Sequence, residues 1–509
     1  MTSPRAGETG GAATPGLRSG IGGGYLNLAV TWVVQALLVP LLLHRLGRDA
    51  FGLYATLTSI VGYFALLTFG SALTVPRYVA ERSVRGDEEG LSAFVSTYFV
   101  LHLGVAALGA LAGWALTPLL ATHLDVPAEL RSAIAPAWRL VVGGWALGLA
   151  GGLFQSFLTG LGDVALANAA ASIRTVLTLL VAAAILTAGG DLAALLAGLM
   201  VASLAATLMA FALLRARHPA IRIRFSSARR ATLRATARPA ALFFLMQVAA
   251  LVVTGTDNVI IGVVLGVGAV APYAVAFQLW ALAIAVLWSG VDALLPFFTR
   301  WDARNERAEL QYAFLTATRY AFAGAVLAAI VLAAFGPSLV RWWVGGAVTV
   351  SGGVLGVFAA MLLTATPIHV AALLLTGLGR HRPVALGGAV EAFLNLVISL
   401  ALVRPLGVLG VALGTLCSGA LTNAWIAPRA AAREVGLSPV TYVREALAPA
   451  LLPGLLAGAL AVFLARRVGP GSPAAAFALA GVVAAYLLVF WFGSLDAAGR
   501  REALALVRR

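Results

Sequence analysis

The run Leu158-Thr159-Gly160-Leu161-Gly162 returns unchanged as Leu375-Thr376-Gly377-Leu378-Gly379, and each copy sits where one long apolar stretch gives way to the next. A second set, Leu46-Gly47, Ala50 and Tyr54-Ala55, recurs in the same order and spacing as Leu265-Gly266, Ala269 and Tyr273-Ala274. The two sets are displaced along the chain by nearly the same interval, so a single alignment accounts for both. A chain duplicated in this way is restricted to folds made of two similar halves. When the repeats are apolar, such halves are how many transporters build two bodies that move about a central site.

Hydrophobic residues fill 61% of the 509 positions and charged residues 11%, against roughly 45–50% and 25% in soluble domains. The chain therefore reads as an all-α polytopic membrane protein. A spanning helix needs about 20 apolar residues, and about fourteen such segments begin near Gly20, Ala50, Leu91, Pro136, Val164, Asp191, Pro239, Val270, Gln311, Ser351, Pro383, Pro405, Glu445 and Ala474. The repeat divides them into a tail (1–18), an N-lobe of six helices (19–214), a basic linker (215–238), a C-lobe of six helices (239–430), an appended helix pair (431–493) and a second tail (494–509). Six helices return the chain to its starting side, so the two lobes are parallel repeats, related by a pseudo-two-fold axis along the membrane normal. The same alignment brings Pro76 close to Pro296, near the cytoplasmic ends of helices two and eight. A proline there removes a backbone hydrogen bond and bends or ends the helix.

Positive charge is retained on the cytoplasmic side of short loops. With both termini cytoplasmic, 25 of the 35 basic residues fall in inner segments and 8 in outer ones. The net charge of +15 then follows from topology and does not call for a nucleic-acid partner. The linker, with eight arginines among Ile221, Ile223, Phe225 and Leu233, suits a segment lying against an anionic leaflet and equally an ordinary positive-inside loop.

All basic residues are arginine. Without lysine there is no Walker A loop and no Schiff-base amine. Cys417 is the single cysteine, which removes disulfides and cysteine-rich metal sites. His44, His102, His123, His218, His369 and His381 show no zinc-ligand spacing. Gly266-x-Gly268-x-x-Ala271 joins two membrane helices rather than a strand and a helix, so it is a chance likeness to a dinucleotide fingerprint. No catalytic residue, metal site or cofactor is expected, and the chain does not read as an enzyme.

The segments Leu46-Gly47, Phe51-Gly52-Leu53-Tyr54, Gly62-Tyr63-Phe64, Phe69-Gly70 and Arg77-Tyr78-Val79-Ala80-Glu81, with Asp257-Asn258-Val259-Ile260-Ile261-Gly262, resemble polysaccharide (O-antigen-type) flippases. These belong to the multidrug/oligosaccharidyl-lipid/polysaccharide exporter superfamily. The resemblance covers residues 17–430 and implies a cavity lined by helices one, two, seven and eight. It also implies a bacterial inner-membrane protein that turns undecaprenyl-pyrophosphate-linked oligosaccharide to the outer leaflet by alternating access. Membrane lipids, a coupling H+ or Na+, and a polysaccharide polymerase or glycosyltransferases are the partners it suggests. The alternative is a cation-coupled multidrug exporter of the same fold.

Ionisable residues inside spans cost about 2.5–3.5 kcal/mol at a helix centre and tend to face a cavity or a partner. Arg174 lies ten residues into helix five, and the alignment that sets Leu158 on Leu375 sets Arg174 on Glu391 in helix eleven. These opposite charges at equivalent positions are candidate polar elements of the lobes' inner faces, either paired or acting separately as an anion contact and a proton-sensitive switch. Asp257 and Asp292, on helices seven and eight, are candidates for a coupling cation. Arg18, Arg77, Arg300 and Arg319, near cytoplasmic helix ends, are candidates to meet a pyrophosphate, which arginine's planar fork binds bidentately. Helices one, two and eight carry no arginine at mid-span, unlike some flippases of lipid-linked cargo.

Overall fold

The computed structural model describes residues 15–69, 71–468, 472–495 and 500. Most of both expected tails and the side chain of Arg18 lie outside the described residues. Among the described residues there are helices and turns but no strand. Among the described residues, fourteen helical segments are long and apolar enough to cross a membrane, in line with the sequence, so the chain is a multi-pass membrane protein. Spans 1 to 6 are Gly22–Leu46, Arg48–Thr68, Glu88–Ala115, Ala128–Gly160, Val164–Thr187 and Leu192–Arg217. Spans 7 to 12 are Phe244–Val264, Val267–Ala303, Arg307–Val344, Gly352–Gly377, Arg382–Leu406 and Val408–Glu434, and spans 13 and 14 are Pro439–Arg467 and Pro473–Ser494.

The helices group into two compact units: Met1–Leu38, Thr68–Trp114 and Arg139–Ala240 in one, and Val39–Leu67, Ala115–Trp138 and Ala241–Arg509 in the other. A core containing Phe94, Phe157, Leu158 and Leu214 holds the first unit. The second has a core around Phe298, Phe314, Leu375 and Ala431. Leu158 and Leu375 are partners in the repeated pentapeptide, and Leu214 and Ala431 are partners under the same alignment, so the duplicated sequence supplies corresponding positions to each core.

The repeated pentapeptide ends a helix in the same way in both units. Gly162 and Gly379 adopt φ of 90° and 69°, a region open to glycine at little cost. Beyond them, the amide of Asp163 donates to the carbonyl of Leu158 at 2.9 Å and that of Arg380 to Leu375 at 2.7 Å. This six-to-one closure satisfies carbonyls that a helix end leaves open. Two residues earlier the glycine is needed for space: a Cβ on Gly160 would lie 2.6 Å from the carbonyl oxygen of Pro76, and one on Gly377 would lie 2.9 Å from the Cβ of Phe298. The second repeat likewise places Gly47 and Gly266 at φ of 82° and 88°.

The residue that follows each pentapeptide reverses sign between the units. Asp163 accepts from His218 at 2.7 Å and lies 3.9 Å from Arg217. At the equivalent place Arg380 pairs with Glu434, and Arg217 and Glu434 are themselves partners in the alignment. The duplication thus keeps an ion pair between the same two positions with its polarity exchanged.

Only one of the two prolines acts as the sequence suggests. Span 2 is α-helical to Gly62, tightens to a 3-10 turn over Tyr63–Thr68 and reaches Phe69 at a positive φ of 48°. Pro76 sits past this break, inside a new helix, Ser71–Val84. In span 8 the helix Val270–Asp292 stops ahead of Leu295–Ala303, and Pro296 occupies the first turn of that second helix, where its missing N–H would have no partner anyway. Both segments are interrupted upstream of the prolines.

Candidate functional site

The second unit encloses a cavity of about 320 Å³, lined by residues of spans 7, 8, 10, 11 and 12. Its wall is mainly apolar and aromatic, with Phe277, Trp280 and Trp288 among the rings. Into it come the carboxylates of Asp257 and Glu391, and no arginine is among the lining residues described.

Asp257 is 1% exposed. Its Oδ2 accepts from the hydroxyl of Tyr273 and, at 2.9 Å, from that of Thr415. The Thr415 hydroxyl gives its single proton to Asp257, so it must accept from the next neighbour, the Nδ2 of Asn395 at 2.8 Å. That choice fixes the Asn395 amide and turns its Oδ1 away from Thr415. Neither Asp257 Oδ1 nor Asn395 Oδ1 has a donor among the described residues. One buried chain therefore ends in two oxygens short of positive charge or protons. A buried carboxylate without compensation costs several kcal/mol. Oxygen donors of this kind suit a proton or a hard cation.

Small residues let span 12 come close enough to span 11 for this contact. Gly410, Gly414 and Ser418 repeat at intervals of four, the small-residue pattern of tightly packed membrane helices. A Cβ on Gly410 would lie 2.1 Å from the carbonyl oxygen of Leu402, and one on Gly414 would lie 2.1 Å from the Oγ of Ser399. Asn395 and Ser399, one turn apart on span 11, are both fully buried at this seam.

Glu391 is held by the same two spans. Its Oε2 accepts from the Nδ2 of Asn423 at 2.7 Å. Asn423 follows Thr422, the residue at which the span 12 helix Val408–Leu421 gives way to Asn423–Glu434. Two glycines leave room for the pair: a Cβ on Gly387 would meet Asn423 Oδ1 at 2.3 Å, and one on Gly419 would stand 3.2 Å from Glu391 Oε1.

Asp292 lies where the first helix of span 8 ends, with its side chain 54% exposed, and accepts from or shares a proton with His369 Nε2 at 2.7 Å. The His369 ring stacks on Trp288 with centroids 3.9 Å apart and planes within 4°. Histidine in span 10 is thus oriented by a carboxylate and an indole rather than by backbone.

The expected arginine sites are distributed differently. Arg319 is half-buried, and its Nε donates to the carbonyl of Glu445 at 2.8 Å, tying span 9 to the π-helical start of span 13. Arg300 is exposed and stacks over Phe297 at 5.4 Å. Arg77 and Arg174 are exposed and form no ion pair among the described residues. Asp257, Glu391 and, through His369, Asp292 are thus gathered around one cavity, whereas the arginines are not part of its lining. The sequence reading missed Tyr273, Asn395, Thr415 and Asn423. The available signal was polar residues interrupting apolar spans.

Residues 22–301 match the family described as polysaccharide biosynthesis protein. Among solved structures, the chain is similar to the lipid II flippase MurJ in an inward closed conformation, with 12% identity, a TM-score of 0.73, and 91% of this chain and 97% of that one covered. It is also similar to an inward-facing multidrug resistance MATE family transporter of the MOP superfamily, with 15% identity, a TM-score of 0.69, and coverage of 81% and 98%. A MOP superfamily transporter from Pyrococcus furiosus, described as having a binding pocket of reverse polarity, matches with 15% identity, a TM-score of 0.60, and coverage of 84% and 99%. At these identities the likeness establishes the fold. No curated protein matches the sequence.

Proposed function

Because the chain belongs to the polysaccharide biosynthesis protein family, we propose that it is a flippase that carries undecaprenyl-pyrophosphate-linked oligosaccharide across the bacterial inner membrane by alternating access, driven by H+ or Na+. The observation that carries the coupling is Asp257, buried in a membrane span with one carboxylate oxygen lacking a donor among the described residues. A structural carboxylate in an apolar bundle is stable when its hydrogen bonds are complete. One left incomplete, beside a cavity, has the chemistry to take up and release a proton or cation as the cavity opens to one face and then the other. Glu391 and the Asp292–His369 pair supply further exchangeable charge on the same wall. Of the candidate arginines, Arg77, Arg174 and Arg300 are exposed and available to a pyrophosphate, with Arg18 a further candidate, and Arg319 reaches cargo only if it leaves Glu445. The distribution of arginine among the loops supports a cytoplasmic location for both termini.

Deleting the gene tests the cargo. The flippase reading expects lipid-linked oligosaccharide to accumulate in the inner leaflet, with recovery on re-expression of the wild-type chain and not of Asp257→Asn. No accumulation overturns it. A second reading, a cation-coupled multidrug exporter, draws on the acidic and aromatic wall of the cavity, which lacks arginine and suits a lipophilic cation. It expects resistance to cationic dyes on expression.

A further inference from the structure

Residues 218–229, between spans 6 and 7, are not a free loop. They run along the start of span 3, and hydroxyls of that span close their backbone hydrogen bonds. Arg222 N donates to Ser92 Oγ at 3.2 Å, Arg224 N to Ser96 Oγ at 3.0 Å and Arg229 N to Thr97 Oγ1 at 3.0 Å, while Ser96 Oγ donates to the Arg222 carbonyl at 3.2 Å. Extended backbone alternates its side chains between two faces. Ile221, 6% exposed, turns into the core beside Leu91, Phe94 and Leu214, and Ile223 packs partly against it. Arg222 and Arg224 are exposed on the other face, followed by exposed Arg229, Arg230 and Arg234. Of these five, only Arg229 has an acidic partner among the described residues, Glu89 at 3.6 Å.

Phe225 is 68% exposed and meets the ring of Phe99 edge-on, with centroids 6.4 Å apart. Phe99 is eleven residues beyond the charged start of span 3 at Glu88, or about 16 Å at 1.5 Å per residue. A ring at that level lies below the charged boundary. Through the Phe154 ring it is linked to Phe211 on span 6, 39% exposed, which lies one helical turn from Leu208, 57% exposed. Irregular backbone persists at membrane depth only where its polar groups are satisfied, and the span 3 hydroxyls do this for the amides of Arg222, Arg224 and Arg229.

From this geometry we propose that the 218–229 strap is a docking surface for anionic lipid headgroups: Phe225 enters the acyl layer, and Arg222 and Arg224, held nearer the charged start of span 3, reach the phosphates above it. The charge selects the occupant, because these two arginines, which form no ion pair among the described residues, face a bilayer surface that carries net negative charge in phosphatidylglycerol-rich membranes. Each contributes about fivefold to the surface-bound population. The inference does not depend on which cargo is carried.

The test uses the full chain with Cys417→Ala and Ser226→Cys, labelled at position 226 with an environment-sensitive fluorophore. It is reconstituted into vesicles of phosphatidylcholine alone or of phosphatidylcholine mixed with phosphatidylglycerol. Doxyl lipids should quench the label more, and aqueous iodide less, in the anionic vesicles, and high salt should remove the difference. Arg222→Gln with Arg224→Gln should lower the preference for phosphatidylglycerol by at least tenfold, and Phe225→Ala should reduce doxyl quenching in both lipids. Both changes are on exposed side chains, and an unchanged melting temperature checks the fold. Equal quenching in the two lipids overturns the proposal. So does quenching that tracks the protein-to-lipid ratio, which would identify the occupant as a second copy of the chain.

Discussion

Replacing Thr415 with valine removes one hydroxyl of nearly unchanged shape and, with it, two hydrogen bonds of the buried chain. Asp257 Oδ2 loses one of its two donors, and Asn395 Nδ2 loses its acceptor. A hydrogen bond to a charged group contributes about 1.5–3 kcal/mol, and a buried donor left alone costs about 1–3 kcal/mol. The expected loss is therefore about 2.5–6 kcal/mol. Asn395→Leu alone strands only a lone pair of Thr415 and costs less. In the double variant the amide that Thr415→Val strands is no longer present. The two single losses should then exceed the double loss by about 1–3 kcal/mol. Reversible unfolding in dodecyl maltoside micelles titrated with dodecyl sulfate measures all four corners of the cycle. Additivity within about 0.5 kcal/mol would refute the chain of hydrogen bonds from Asn395 through Thr415 to Asp257.

Asp257→Asn should leave melting within a few degrees of wild type yet abolish the dependence of transport on H+ or Na+, measured as flux against pH at fixed Na+ and against Na+ at fixed pH; an unchanged dependence on both removes Asp257 from coupling. Gly387→Ala should push Asn423 off Glu391, since the new methyl would meet its Oδ1 at 2.3 Å, costing about 1–3 kcal/mol. Adding Glu391→Gln to that variant should lower flux no further, and a full additional loss would count against the pairing. Gly160→Ala and Gly377→Ala should each destabilise by about 1–3 kcal/mol in the same unfolding assay, with Gly160→Ala the worse because its nearest neighbour is a backbone oxygen.

The fourteen spans were legible because hydropathy reports burial in lipid directly, and the duplicated glycines marked helix ends because only glycine takes the required φ without strain. Charges inside apolar runs pointed to Asp257, Asp292 and Glu391, and the cavity gathers all three carboxylates or their partners. Their partners were not legible. Thr415 is far from Asp257 along the chain, five spans on, and a threonine or asparagine in a membrane helix has no pattern that tells a bond to its own backbone from one to another span. The break in span 2 was not legible for a related reason, since Pro76 lies inside the helix that follows it. Proline marks where a hydrogen bond is missing, but at the start of a helix that bond is not needed, so Pro296 begins a segment rather than bending one. The linker's arginines fit a loop and a surface-lying segment equally, and only the hydroxyls of span 3 reveal that its backbone is fixed.

The exchanged polarity of the Asp163–Arg217 and Arg380–Glu434 pairs has a genetic consequence. A gene with two similar halves is open to unequal recombination between them, which would overwrite a stretch of one with its counterpart. A conversion tract that copied the residue after Gly162 into the position after Gly379 would set an aspartate against Glu434, and the reverse event would set an arginine against Arg217. Either product folds two like charges together at a helix start. Once this inversion was established, selection could remove homogenised offspring, leaving each half free to diverge towards its own task.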